Sequence, residues 1–171
     1  MANLFVTNTI TATFHCSIEK SFKTPMMGDA TKILIAPFGY PLVKGFIEDE
    51  TWGIAGGSRK IIMNGFLFIK PMQLGFDEIF IRDENKYWKW GVSQFGWAAI
   101  IFTHNQGEWW VKENTDGKIS VTWKYTWFSR NWLSHPFNWL FVKLFWSQVM
   151  TNGMKNIKQM AESGVPYIYN K

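Results

Sequence analysis

At 171 residues the chain is about the size of one domain, and its 47% hydrophobic and 18% charged residues exclude a disordered polymer. The net charge of +5 does not imply nucleic-acid binding. The cations are scattered from Lys20 to Lys171, with Arg59-Lys60 the only adjacent pair, whereas a phosphate-binding surface needs them clustered. Weak attraction to an anionic membrane surface stays open. Cys16 is the only cysteine, so no intrachain disulfide forms, which fits a reducing, cytoplasmic setting. The N-terminus lacks the basic and apolar regions of a signal peptide. The most apolar stretch, 137–146, is too short to span a bilayer and contains Lys143, so no stable membrane insertion is expected. Aromatic residues make up 18% of the chain, eleven of them Trp, which suits either a Trp-rich core or the walls of a ligand cavity.

No repeat or linker interrupts the sequence, so one domain covering 1–171 is expected, with its core over about 9–163 and a tail at 165–171. Ile10, Ala12, Phe14, Cys16 and Ile18 alternate with polar residues, the period of a strand with one apolar face. Ser17 is placed to cap a short helix through Phe22, which Pro25 and Gly28 terminate, and Asp29 to cap a second over 30–35. Strands are expected over 42–48 and 59–63, then over 72–82 and 87–94. Segment 96–106 has no clear assignment.

The hairpin that follows has the firmest local signal. Ile119, Val121, Trp123, Tyr125 and Trp127 alternate with polar residues, and Asn114-Thr115-Asp116-Gly117 forms the turn. A three-residue loop with left-handed Gly117 sets Trp109, Val111 and Glu113 against Trp123, Val121 and Ile119. A long helix closes the chain, with Ser134 as N-cap, Pro136 in its first turn and Gly164 as C-cap. Trp139, Val142, Trp146, Val149, Met150, Gly153, Ile157 and Met160 recur at helical spacing and face the sheet. That leaves Phe137, Leu140, Phe141, Leu144 and Phe145 as a second apolar surface. The tail with the loops 66–71 or 96–106, a second protomer in a homodimer, or a transient membrane contact are the available covers.

The order of strand, two short helices, six antiparallel strands and long helix resembles the START-related, pollen-allergen-like SRPBCC superfamily, which includes polyketide cyclase/dehydrase-type proteins. The residues that carry the resemblance are Ser17–Phe22, the Trp52…Arg59 segment, Glu78-Ile79-Phe80, and Gly117 to Trp123 followed by the long helix. It covers roughly 9–163, and 66–71 and 96–106 depart from the commoner pattern. The resemblance implies an α+β helix-grip fold, a curved antiparallel sheet of about seven strands around the long helix. A strongly twisted sheet cannot touch a straight helix everywhere, and the gap between them suits a small apolar ligand.

Shared parity assigns Trp88, Trp90, Trp109, Val111, Trp123, Tyr125 and Trp127 to the concave face of that gap, with Trp146 and Met150 opposite on the helix. Arg59 and Glu78 either form a structural pair on neighbouring strands or orient a polar group of the ligand. Chemistry in the gap would need a positioned acid or base, for which His104, Glu78 and Tyr125 are the candidates. The three His residues lie far apart in sequence and no metal-ligand spacing occurs, so neither a metal nor another cofactor is expected. His15 and Cys16 are strand neighbours on opposite faces, which excludes them as a nucleophile and its base. The expected function is binding or carriage of a small hydrophobic molecule of lipid-, polyketide- or aromatic-like character. The resemblance also implies an aromatase/cyclase-type enzyme, or a protein-interaction module of the chaperone-activating kind.

Overall fold

A computed structural model describes residues 4–64 and 71–163. Seven antiparallel strands form one sheet. They are β1 (Phe5–Phe14), β2 (Val43–Glu48), β3 (Ser58–Met63), β4 (Met72–Asp83), β5 (Tyr87–Ser93), β6 (Phe102–Glu113) and β7 (Ile119–Ser129), in the order β1-β7-β6-β5-β4-β3-β2. Two short helices, α1 (Ile18–Met27) and α2 (Ala30–Ile33), follow β1. A long C-terminal helix runs from α3 (His135–Leu140) through a π-helical turn (Phe141–Trp146) into α4 (Ser147–Glu162). This is the helix-grip arrangement expected from the element order. The unassigned segment becomes a 3-10 turn, Gly96–Ile100, leading directly into β6.

The β6–β7 register follows the apolar match of the hairpin. Trp109 faces Trp123, Val111 faces Val121 and Glu113 faces Ile119, with Gly117 at a left-handed φ of 75°. Continued into β5 and β1, this register stacks the inward residues in cross-strand rows. One row is Trp88, Trp109, Trp123 and Ile10, the next is Trp90, Gly107, Tyr125 and Asn8, and the third is Val92, Asn105, Trp127 and Val6. The rows thin out, from three Trp in the first to one Trp in the third.

The heavy row is the end that α1 covers. Ser17 caps α1 through the Lys20 amide, and the helix runs through Pro25 to Met27 rather than stopping before it. Pro25 has no N–H to give the Ser21 carbonyl four residues back. The Trp109 indole donates to that carbonyl instead at 3.1 Å. Trp88 donates to the Phe22 carbonyl at 2.8 Å and Trp52 to the Met26 carbonyl at 3.2 Å. The Phe22 ring also stacks on Trp88, with ring centroids 4.8 Å apart. Three buried indoles on the sheet side thus satisfy three helix carbonyls.

The start of the C-terminal helix departs from the sequence expectation. Ser134 does not cap it, because its hydroxyl is held by the Asn131 backbone. Gly164, the tail at 165–171 and residues 65–70, on which expected roles fall, lie outside the described residues. Trp139 is 49% exposed rather than turned to the sheet. The π turn breaks the helical spacing that assigned it inward. Asn138 takes the inward place instead, with its amide donating to the Trp127 carbonyl and the Ser129 hydroxyl. The same turn rotates Phe141 and Phe145 inward against the core, while Phe137, Leu140 and Leu144 remain exposed.

Gly107 is the tightest point of the middle row. A Cβ there would meet the Trp90 ring at 2.2 Å. Gly107→Ala is therefore expected to overpack the core and cost about 1–3 kcal/mol. The checking measurement is the shift of the urea midpoint at constant slope.

Candidate functional site

Beyond the last tryptophan row the sheet and the C-terminal helix part, leaving a cavity of about 290 Å³. Val92, Asn105, Tyr125 and Trp127 form its sheet wall, Phe141, Phe145 and Trp146 its helix wall, and Phe95, Trp97, Ala98, Ile101 and Phe102 one end. Leu34, Leu42, Val43, Ile61, Met63 and Leu74 close the other side. The aromatic wall is continuous: Trp127 packs on Phe95, Phe102, Phe141 and Trp146 with centroids 4.8–5.4 Å apart. Asn105 is committed to the backbone, its Oδ1 accepting from the Val92 amide at 3.1 Å. Apart from it and Tyr125, the polar atoms of the wall are indole nitrogens.

A smaller void of about 70 Å³ adjoins this chamber, sharing Leu34, Ile61, Val92, Tyr125 and Trp146 with it. Its lining includes Arg59 and Asp77, both buried. The Arg59 guanidinium is sandwiched between Phe46 and Trp52, 3.8 Å from each ring centroid. Its Nε donates to Asp77 Oδ2 at 3.0 Å, one terminal nitrogen lies 3.0 Å from the same oxygen as an ion pair, and Glu48 lies 3.6 Å from the other terminal nitrogen. Burial pushes the Asp77 carboxyl up and the Arg59 guanidinium down, and each restrains the other through its charge. Burial also raises the Tyr125 phenol far above its ordinary range, with the Asp77 charge adding to it.

The sequence-assigned residues divide between these surroundings. Trp90, Trp123, Tyr125, Trp127 and Trp146 line one or both voids. Trp88 and Trp109 are fully buried beneath α1, away from both, because their indoles are bound to that helix. Val111 and Met150 are buried in the packed part of the core. Arg59 lines the smaller void, but Glu78 does not and is not its partner. Asp77 sits directly across from Arg59 in the β3–β4 register, so the two share the inner face, and Glu78 is exposed on the outer one. His104 is also on the outer face, stacked on Phe128 with ring centroids 4.1 Å apart. Alternation with inward Asn105 and Gly107 sets it outward, the register irregularity before it being what brings Phe102 inward, and partial burial lowers its pKa. Glu113 is exposed at the hairpin end, His15 is exposed, and Cys16 is half-buried beside the Ser21 hydroxyl. No group of three metal-ligating side chains occurs among the described residues.

Asp77 was the residue that sequence reasoning missed. The usable signal was parity: Gly75, Asp77 and Ile79 share a face, and Ile79 is fully buried. Phe76 and Phe80 on the opposite face leave neither face of this strand clearly polar, and the family-like segment points to Glu78 instead.

No protein-family model matches the sequence, and no curated protein matches it. Comparison with solved structures gives full-length similarity at low identity. Norcoclaurine synthase from Thalictrum flavum, solved in complex with dopamine and hydroxybenzaldehyde, has a TM-score of 0.66 at 10% identity, over 96% of this chain and 90% of that one. Ginseng major latex-like protein 151 from Panax ginseng has a TM-score of 0.63 at 15% identity, over 94% and 99%. The di-domain aromatase/cyclase StfQ of the steffimycin biosynthetic pathway has a TM-score of 0.68 at 11% identity, over 93% of this chain and 52% of that one.

Removing one member of a buried ion pair strands the other charge. Asp77→Ala is expected to cost about 3–5 kcal/mol in urea unfolding, and Arg59→Met/Asp77→Leu far less than the sum of its single changes. Glu78→Ala is expected to stay within about 0.5 kcal/mol, as an exposed surface change should. The chain has the same fold as these solved structures, a seven-stranded antiparallel sheet gripping a long C-terminal helix.

Proposed function

We propose that this protein binds and carries a small hydrophobic molecule in the chamber between its sheet and its C-terminal helix. One observation carries the reading: a cavity of about 290 Å³ with a wall that is apolar and aromatic almost throughout. That is close to the lower end of small-molecule sites, with room for a ligand of two or three fused rings or a short branched chain. The solved neighbours with named small-molecule chemistry are consistent with it, since one is a synthase held with two aromatic compounds and another is an aromatase/cyclase.

The cyclase reading has weaker support. A general acid or base needs a pKa near the working pH and reach to the substrate. His104 and Glu78 lie on the outer face, and Tyr125 is driven away from neutral pH. The interaction-module reading rests on the exposed aromatics of α3 and gains nothing from the cavity.

Leu74 lines the chamber on the side away from the aromatic wall. Leu74→Trp should fill the space, and an apolar fluorescent probe that enhances on binding the wild type should lose affinity by about tenfold or more. Native mass spectrometry of freshly purified protein should show a bound small molecule that Leu74→Trp lacks. If probe binding never saturates in the wild type and no adduct is seen, the carrier reading fails.

The ligand's route in and out is read as an anionic membrane surface. Trp97 lines the cavity and is 56% exposed. Near it in the chain lies exposed Ile100, and the loop and helix after β7 expose Trp132, Leu133, Phe137, Leu140 and Leu144. The segments 85–107 and 117–161 contain no Asp or Glu, and Arg130 and Lys143 flank the exposed aromatics in sequence. An apolar surface with cations and without acids suits the interface of an anionic bilayer. No helix among the described residues is long and apolar enough to cross one. Co-sedimentation with phosphatidylserine-containing vesicles should be strong at low salt, weaken as salt rises, and be lost in Trp132→Ser/Phe137→Ser. If that variant instead turns a dimer into a monomer by light scattering, the face is a homodimer interface and the membrane route is wrong.

A further inference from the structure

The smaller void has a feature that packing alone does not account for. Both Arg59 nitrogens in contact with Asp77 converge on a single carboxylate oxygen, Oδ2. The other oxygen, Oδ1, is buried and has no hydrogen-bond partner among the described residues. Asp77 itself is only 3% exposed. An ionised carboxylate accepts through both oxygens, and a buried one left half-satisfied is costly. Arg59 cannot turn to reach it, because Phe46 and Trp52 clamp the guanidinium plane.

We propose that Asp77 Oδ1 is the polar anchor of the ligand site and accepts a hydrogen bond from a hydroxyl on an otherwise apolar, aromatic-sized ligand. This rests on the carrier reading and specifies its ligand class. The body of the ligand lies in the larger chamber. Its hydroxyl passes the side chains shared by the two voids, of which Tyr125 and Trp146 are the largest, into the space of about 70 Å³ beside Asp77. The charges fix the polarity of the group. Glu48 and Asp77 give the cluster two negative charges against the single positive charge of Arg59. A carboxylate on the ligand is therefore repelled, and a group that only accepts finds no free donor on Arg59's Asp77-facing edge. A neutral donor meets Asp77 Oδ1, the one unpaired side-chain acceptor among the described residues that line the two voids, whose other unpaired polar side-chain atoms are the indole N–H donors of Trp123, Trp127 and Trp146.

The test is a matched series measured by calorimetry on the intact protein: 2-naphthol, 2-methoxynaphthalene and 2-methylnaphthalene. They share one ring system, and only the first carries a donor. 2-Naphthol should bind at least tenfold more tightly than either of the others. In Arg59→Met/Asp77→Leu, which keeps the volume but removes the charges, the ratio of 2-naphthol to 2-methylnaphthalene affinity should fall to about one. The outward Glu78→Gln should keep the wild-type ratio. The anchor is overturned, and the carrier reading survives, if the wild type binds all three equally, as it would if a water already satisfied Oδ1. Equal binding of 2-naphthol and 2-methoxynaphthalene overturns it too, since the oxygen would then not be donating. If none of the three binds, the carrier reading falls and the anchor with it. The wild-type series decides the matter even if the double variant does not fold.

Discussion

Three indole N–H groups donating into one short helix fix where this molecule is solid and where it is hollow. Trp52, Trp88 and Trp109 each give a buried hydrogen bond to a carbonyl of α1. A buried indole without an acceptor would cost roughly 1–3 kcal/mol, so the three together tie α1 to one position on the sheet. Pro25 is part of the arrangement rather than an irregularity in it. By lacking an N–H it frees the Ser21 carbonyl that Trp109 uses. With α1 seated over the row of three tryptophans, that end of the sheet is the more tightly packed, holding only the smaller void. The C-terminal helix must then span from it to the thinner rows, where the contact opens into a cavity.

Much of this was legible in the sequence where a local rule had only one consistent solution. The β6–β7 hairpin had one register that kept its apolar face continuous, and that register set the rows on which the cavity depends. The candidate site was less legible, for two physical reasons. Parity distinguishes the faces of a strand only when one face is polar, and β4 carries Phe76 and Phe80 on its outer face. The family-like segment Glu78-Ile79-Phe80 points to Glu78, and nothing in the parity of β4 redirects the choice to Asp77, which holds the inner position. Helical spacing extrapolates only through a regular helix, and the π turn at 141–146 shifts the faces, exposing Trp139 and burying Asn138. Nor does periodicity separate a residue that packs from one that lines a void. Trp88 and Trp127 have the same parity, yet one is sealed beneath α1 and the other faces the chamber.

The buried Arg59–Asp77 pair contributes little as a source of stability, since replacing such a pair with apolar side chains is often neutral or favourable. Its geometry is better explained by specificity. Two ring faces hold the guanidinium flat, its two nitrogens nearest Asp77 converge on one oxygen, and the second oxygen is buried with no partner among the described residues. A pair built only for stability would share its donors between both oxygens in the bidentate fork that arginine readily forms. Here the asymmetry leaves one strong acceptor in an otherwise apolar surrounding, where a hydrogen bond discriminates between ligands most sharply.

The cavity itself calls for the same kind of explanation. An apolar hollow costs stability, because the side chains around it forgo packing contacts that a filled core would supply. The chain has the means to avoid that cost, with fifteen Phe and eleven Trp. It places its bulkiest side chains in the row beside α1 and leaves Val92 and Asn105 in the row by the cavity, where larger residues would fill the space. Tight packing at one end and a void at the other, within one sheet and one register, is a division that stability alone would not favour. It becomes favourable when a ligand restores the missing contacts, because binding to the folded state alone adds its own free energy to folding.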